Sequence, residues 1–337
     1  VESRKTKVTF ISAWEDYLEE LRTGISAKTK RPYSARYIAD HVNLSSRGGE
    51  SKKRGRGPTS AGPLASLLDL PLSELTPENI AAWLSTERQN RPTVTAHAYR
   101  LLRAFIKWAN YQKKYQGIIH SDLAQDHNVR KMVPVSASKV GDCLQKEQLK
   151  SWFSAVRSLN NPFASAYLQV LLLTGARREE IASLRWSDVD FKWSSMRIKD
   201  KIEGERIIPL TPYVSDLLST LAQAPNSEVN KEGWVFRSKS NSGKIIEPRS
   251  AHNRALARAE LPHISLHGLR RSFGTLAEWV EVPTGIVAQI MGHKPSALAE
   301  KHYRRRPLDL LRKWHEKIET WILEQAKISK IENVDVR

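Results

Sequence analysis

TGARREEI at residues 174–181, SSMRIKDKIEGERIIPL at 194–210, LHGLRRSF at 266–273, IMGH at 290–293 and AEKHYRRRP at 299–307 follow one another along a single 337-residue chain. In that order they set out Arg177, a lysine, the pair His267 and Arg270, the dipeptide Gly292-His293 and Tyr303, each on a segment able to present it to one phosphate. Two guanidiniums can hold the non-bridging oxygens of a phosphodiester, imidazoles and an ammonium can move protons, and a phenol can attack phosphorus. Any one of these residues has an ordinary structural explanation. The ensemble in this order does not.

The local spacing says how each would be presented. Glu180 lies three residues after Arg177, on the same face if a helix starts there, and so forms a brace for that arginine; Arg178 with Glu179 reads as a plain helix ion pair. His267 and Arg270 are also three apart, which stacks imidazole and guanidinium on one helix face. Arg271 is expected to face solvent or to meet backbone phosphates elsewhere. His293 follows Gly292 at the end of the apolar segment GIVAQIM, where a turn can aim its ring into a pocket. Tyr303 sits among Lys301, His302, Arg304, Arg305 and Arg306, a setting that favours phenolate in a side chain whose free pKa is about 10.

Around these motifs the pattern is helical with one β-rich interruption. Helices fit 146–157, 162–173, 212–223, 249–259, 267–280, 283–290 and 308–325, with a short one from Arg177, and two β-biased runs around Gly204 predict a hairpin over about 195–209. The last helix carries Leu310, Leu311, Trp314, Ile318, Trp321 and Ile322 at helical spacing, an apolar face for its own domain or for a neighbouring copy. The first part of the chain reads as a helical bundle. An amphipathic helix opens at 8–22, another starts with Thr76 as N-cap and Pro77 in its first turn, and a third spans about 94–113. Between them SSRGGESKKRGRGPTSAGP, residues 45–63, is rich in glycine, serine and cations and reads as a mobile basic loop, whose Lys52, Lys53, Arg54 and Arg56 fit a DNA backbone as well as they fit solvent. Periodicity is lost near 131–143, the expected linker. The domain expectation is therefore a helical domain over 1–130, a mixed and mainly helical domain over 144–325 with a small hairpin or sheet, and a tail over 326–337.

Composition narrows the class. Hydrophobic residues make up 40% of the chain, with ten tryptophans, which supports folded cores instead of disorder. Lys and Arg number 54 against 36 Asp and Glu, a formal charge of +18, so the expected partner is a polyanion. The single cysteine, Cys143, excludes an intrachain disulfide and a cysteine-based zinc site, and a reducing cytoplasm fits. The N-terminal stretch lacks the apolar segment of a signal peptide, and LQVLLL at 168–173 is too short to span a bilayer. No metal is expected at His263, His267, His293 and His302, because the accompanying arginines repel a cation.

The series TGARREEI, the hairpin ending RIIPL, LHGLRRSF, IMGH and the tyrosine that follows resembles the tyrosine recombinases, specifically the phage-type integrases. The resemblance covers about 143–325, and the preceding bundle looks like the family's core-binding domain. It implies that Arg177 and Arg270 clamp the scissile phosphate, that Tyr303 attacks to give a 3′-phosphotyrosyl enzyme and a free 5′-hydroxyl, and that Lys201 protonates the leaving oxygen. Lys201 follows from counting back from the RIIPL strand, and Lys199 competes with it through a register shift. His267 would assist proton transfer from the tyrosine, and His293 would hydrogen-bond a non-bridging oxygen. The ten-residue step from His293 to Tyr303 is slightly longer than the family's usual spacing.

The same resemblance implies double-stranded DNA attachment sites as partner, a homotetramer exchanging strands through a Holliday junction, accessory DNA-bending proteins in some systems, neither metal nor ATP, and a place in the cytoplasm near the nucleoid. Some integrases of this kind carry a further N-terminal domain for arm sites; the residues ahead of 8 leave no room for one, so either the chain begins late or this member lacks it. Two rival readings stay open at this stage. A type IB topoisomerase shares the tyrosine and arginine chemistry, and a DNA-binding regulator with vestigial catalytic residues shares the charge.

Overall fold

The apolar positions sort into two separate cores, and the chain divides accordingly into residues 1–138 and 139–337. The computed structural model describes residues 8–27, 29–52, 55–119, 123, 126–135, 141–200, 204–223, 233–293 and 306–328. Lys53, Arg54, Lys201, Tyr303, Arg304 and Arg305 lie outside the described residues.

The first unit is helical. Helix α1 (Phe10–Thr23) is capped by the Thr9 hydroxyl and buries Phe10, Ala13, Trp14, Tyr17, Leu18 and Leu21, the positions its helical spacing predicts. Helix α2 (Ala35–Ser45) was not legible as an element, because only His41 and Leu44 are buried on it; the Ser34 cap, which accepts from the Tyr37 N–H, was its one signal. Helix α3 (Pro77–Asn90) starts from the Thr76 cap with proline in the first turn. Helix α4 (Pro92–Tyr111) begins two residues before the expected 94, since its proline needs no N–H partner there. The short α5 (His127–Met132) follows.

The basic segment 45–63 departs from an irregular loop. Gly49 N–H donates to the Thr59 carbonyl at 2.9 Å, Thr59 N–H to Glu50 at 2.7 Å and Lys52 N–H to Gly57 at 3.2 Å, which makes a narrow antiparallel excursion. Gly48, at φ 72°, permits it: a Cβ there would sit 2.6 Å from the Ala61 nitrogen. Lys52 and Arg56 are exposed near its end.

The second unit surrounds helix α7 (Pro162–Thr174), in which every residue from Ala164 to Thr174 is buried, so its near-continuous apolar run is the centre of the core. Helix α6 (Leu149–Arg157) packs beside it, and the one-and-a-half-turn α8 (Arg178–Ala182) follows its C-terminus. A three-stranded antiparallel sheet comes next, in the order β1 (Val189–Asp190), β2 (Ser195–Asp200), β3 (Gly204–Pro209). The β2–β3 register pairs Ile198 with Arg206, Met196 with Ile208 and Lys199 with Glu205. Met196, Ile198 and Ile208 are buried, so the face that carries them, and Arg206 with them, turns to the core, while Lys199 shares the opposite face with Arg197 and Ile207. Helices α9 (Pro212–Gln223), α10 (Arg249–Arg258), α11 (Leu266–Ala277), α12 (Thr284–Met291) and α13 (Leu308–Gln325) complete the domain.

Helix α13 lays its apolar face on its own domain: Leu311, Ile318 and Ile322 are buried in the same core as α7. Two polar side chains fasten it. Glu319 accepts from the Tyr213 N–H at 2.9 Å and from the Thr211 hydroxyl, capping the start of α9. The buried His315 donates Nε2–H to the Leu173 carbonyl at 2.8 Å, at the end of α7. No helix among the described residues is long and apolar enough to cross a membrane.

Leu171→Ala, at the fully buried centre of α7, is expected to destabilise the second unit by about 2–5 kcal/mol, read by urea unfolding. Burial holds both His315 and His252 at about 4 in the folded chain, whereas an unfolded imidazole protonates near ~6.5. The unfolded state therefore binds more protons across that interval, and stability should fall as pH drops from about 6.5 to about 4. His315→Gln retains a donor for Leu173 but cannot be protonated, so its melting temperature should depend less steeply on pH in that window.

Candidate active site

The C-terminus of α12 organises the site. A helix leaves its last carbonyls without intrahelical partners, and here Ile290, Met291 and Gly292 receive one arginine each. Arg206 Nε donates to the Ile290 carbonyl at 3.1 Å, Arg270 Nη1 to Met291 at 2.8 Å and Arg177 Nη2 to Gly292 at 3.0 Å. The negative end of the helix dipole favours such cations. Gly292 closes the helix at φ 71°, a left-handed conformation suited to glycine, and the turn delivers His293, whose N–H returns to Ala288 at 2.8 Å.

A second glycine turn meets it. Gly175 ends α7 at φ 58°, and a Cβ there would stand 2.5 Å from Cδ1 of Phe273 on α11, so only glycine lets that turn approach that helix. The Gly175 carbonyl accepts Arg270 Nη1 at 2.7 Å. Arg177, two residues after this turn, reaches across to Gly292, while Arg270 reaches back to Gly175. Each arginine is thus held by the turn next to the other's anchor, which draws both guanidiniums to one place.

Bringing cations together requires a counter-charge, and Glu180 supplies it. Its buried carboxylate accepts Arg177 Nη1 at 2.7 Å, the Arg177 backbone N–H at 2.8 Å and Arg206 Nη2 at 2.9 Å. Burial alone would raise the Glu180 pKa, but the bonds from Arg206 and Arg177 outweigh it and keep the carboxyl below its ordinary value. Glu180 therefore braces Arg177, as its spacing predicts, and braces a second arginine that its spacing does not reveal. Arg178 pairs with Glu179 at 2.7 Å, the ordinary surface pair expected.

The start of α11 is fixed from the preceding segment. Asp142 accepts the Ser265 N–H and hydroxyl, both at 2.7 Å, and pairs with Arg271. Ser265 caps α11, and a Cβ at Gly268 would lie 2.4 Å from Asp142 Oδ1, so the glycine of LHGLRRSF is required by that approach. Arg271, expected to face solvent or phosphate, is instead committed in part to this buried carboxylate, since Asp142 sits where the helix start needs an anion.

His267 and His293 are exposed, on the α11 face and after the α12 turn. Partial desolvation of the ring and the charges of Arg271, Arg270 and Arg177 lower the His267 pKa; partial desolvation together with Arg270, Arg177 and Arg206 lowers that of His293. Both imidazoles stay neutral at pH 7, able to accept or donate a proton. Lys199 lies on the outer face of β2, with Nζ 3.4 Å from the buried Asp188 carboxylate. The described chain resumes beyond Tyr303 at Arg306, which is clasped to α12: its N–H donates to Gln289 Oε1 at 3.2 Å, its carbonyl accepts from Gln289 Nε2 at 3.0 Å, and its Nη1 donates to the Gly285 carbonyl at 3.1 Å. Both described ends of the tyrosine segment are therefore tied to one helix.

Sequence reading missed Arg206, Asp142 and Gln289. For Arg206 a signal existed: strand alternation sets it on the face of Ile208, a charge on the core side. Asp142 and Gln289 act through tertiary neighbours and left no pattern. Among the described residues no three His, Cys, Asp or Glu side chains group as a metal site.

A family model for the phage integrase core-binding domain matches residues 9–131, and one for the phage integrase family matches residues 142–307. The chain is 90% identical over 336 residues to the prophage integrase IntF of Escherichia coli strain K12, covering 100% of this chain and 72% of that protein. It is 26% identical over 242 residues to tyrosine recombinase XerC of Mycobacterium sp. strain KMS, covering 68% and 78% of the two chains. A lambda integrase tetramer bound to a Holliday junction matches with TM-score 0.62 at 16% identity, over 90% of this chain and 81% of that one. The Tn1549 transposon integrase in complex with circular intermediate DNA matches with TM-score 0.61 at 15% identity, over 91% and 99%. At these identities the structural likeness is one of fold.

The neutral imidazoles give a direct test. In histidine-labelled protein followed by NMR, His267 and His293 should titrate below about 6.5, and Arg177→Met should raise both midpoints, because it removes a positive charge that opposes protonation.

Proposed function

We propose, from the premise that this chain belongs to the phage integrase family and is a tyrosine recombinase, that it integrates or excises a mobile element by cutting and rejoining duplex DNA at attachment sites through Tyr303. The observation that carries the site assignment is the cross-bracing of Arg177 and Arg270 through Gly292, Met291 and Gly175, with Glu180 as their counter-charge.

In this reading Arg177 and Arg270 hold the non-bridging oxygens of the scissile phosphate. Attack adds negative charge to the pentavalent transition state, so cations fixed beforehand stabilise it more than the ground state. The Tyr303 oxygen bonds to phosphorus as the bond to the 5′-oxygen breaks; the phenol proton passes toward neutral His267, and the leaving oxygen takes a proton from Lys201. Lys201 is favoured over Lys199 for its turn-side position and its spacing from the RIIPL strand, and because Lys199 is engaged with Asp188. His293 hydrogen-bonds a non-bridging oxygen. The phosphotyrosyl bond conserves the energy of the phosphodiester it replaces, so a 5′-hydroxyl of another strand can displace the tyrosine without ATP.

DNA is the partner that the +18 charge favours. Lys52, Lys53, Arg54 and Arg56 of the basic excursion, with Arg304 and Arg305, are assigned to backbone contacts; Arg271 has only a secondary part in them, given its bond to Asp142. The helical domain over 1–130 holds the core site, and residues 131–143 link it to the catalytic domain over 144–325. Four copies on two sites exchange strands pairwise through a Holliday junction, in the bacterial cytoplasm at the nucleoid, with accessory DNA-bending proteins where the site requires them.

The test is incubation with nicked suicide duplexes carrying the ends of the encoding element, in EDTA without ATP, followed by denaturing gels. Wild type should form a covalent protein–DNA adduct and Tyr303→Phe none, with duplex binding unchanged; Arg177→Ala should slow adduct formation by about 10²–10³-fold. No adduct with intact binding would move the assignment to a DNA-binding regulator, and relaxation of supercoiled plasmid without exchange between sites would move it to a topoisomerase.

A further inference from the structure

We propose that Arg206 is a positioning residue for strand cleavage: it fastens the β2–β3 hairpin, which carries the general-acid lysine, to the same helix end and carboxylate that hold the phosphate-binding arginines. This rests on the reading of the site given above.

Arg206 has no place among the six residues assigned to the reaction. It stands in the middle of β3 and, by strand alternation, is the one inward-facing cation between Ile198 opposite and Ile208 two residues on. Its side chain is only 11% exposed, and it divides between two anchors: Nη2 on Glu180 at 2.9 Å and Nε on the Ile290 carbonyl at 3.1 Å. Glu180 also holds Arg177, and Ile290 precedes the two carbonyls that hold Arg270 and Arg177. One guanidinium thereby ties a strand to the framework of the clamp.

A buried ion pair by itself argues little for function, because arginine and glutamate can be paired for folding alone. The geometry here is more specific. Arg177 keeps two bonds to Glu180 and one to Gly292 without help from Arg206, so the clamp has its own anchorage. The hairpin has no comparable polar tie to Glu180 or to the end of α12 among the described residues. Loss of Arg206 should therefore displace the hairpin lysine relative to the phosphate more than it displaces Arg177. A displacement on the order of 1 Å is enough to slow a positioned proton transfer by about 100-fold.

The discriminating substrate is the same suicide duplex with sulfur replacing the leaving 5′-oxygen. A thiolate departs without a proton, so this substitution relieves any defect in protonating the leaving group and does nothing for a defect in holding the phosphate. Arg206→Met should cleave the oxygen substrate about 100-fold slower than wild type and come within about 5-fold of it on the sulfur substrate, with duplex binding retained. Arg177→Ala should stay slow on both. If Arg206→Met does not melt cooperatively, Arg206→Lys is scored by the same criterion, since an ammonium can sit beside Glu180 without spanning to Ile290. A full-size defect on both substrates, or no defect on either, overturns the proposal. Lys201→Ala and Lys199→Ala, run in parallel, score the general acid separately: if sulfur rescues neither, that assignment fails, and the Arg206 result still stands or falls on its own rescue.

Discussion

The site depends on the end of one helix. Helix α12 stops at a left-handed glycine, and the carbonyls of Ile290, Met291 and Gly292, which no further turn can satisfy, become acceptors for Arg206, Arg270 and Arg177. A helix terminus is well suited to this. Its carbonyls point the same way, carry the negative end of the dipole, and belong to the most rigid kind of backbone, so cations bound there inherit its precision. His293 leaves from the same turn, and the far end of the tyrosine segment returns to the same helix through Arg306 and Gln289.

Like charges would scatter without compensation, and the fold answers with a single buried carboxylate. Glu180 bonds to Arg177 and Arg206 at once, which neutralises part of the repulsion between them. The charge of the arginines also reaches the histidines. Their pKa values are lowered first by partial burial and then by these arginines, so the same cations that meet at the end of α12 disfavour a charge on either imidazole. The end of α7 repeats the device at lower charge: its Leu173 carbonyl takes His315 from α13, and its Gly175 carbonyl takes Arg270.

Most of the secondary structure was legible because its signals are local. Thr76-Pro77 announced a helix start, the β-biased runs on either side of Gly204 announced the hairpin, and α9 and α13 end where their apolar spacing does. Helix α2 failed that test, since it buries only His41 and Leu44 and has no stripe to read. The segment 45–63 looked structureless because glycine and serine carry no periodicity, yet those glycines let its two arms pair. In the site, Glu180 was readable from its three-residue offset to Arg177. Arg206 was not singled out, because a charge in a strand is usually on the solvent face; its alternation with Ile208 was the one signal, and the pairing with Ile198 shows that it turns inward.

By itself the sequence determined the kinds of group available and their order: two arginines, lysines in a hairpin, two histidines and a tyrosine, on elements whose periodicity is written in neighbouring residues. It also placed glycines at the ends of α7 and α12, Gly175 and Gly292, where the chain can turn left-handed at little cost. Only the tertiary structure decided which partner each group takes. The Asp142 bond to Arg271 spans 129 residues and the Arg177 bond to Gly292 spans 115, and pairings over such separations depend on how whole elements pack, a property that no local spacing encodes.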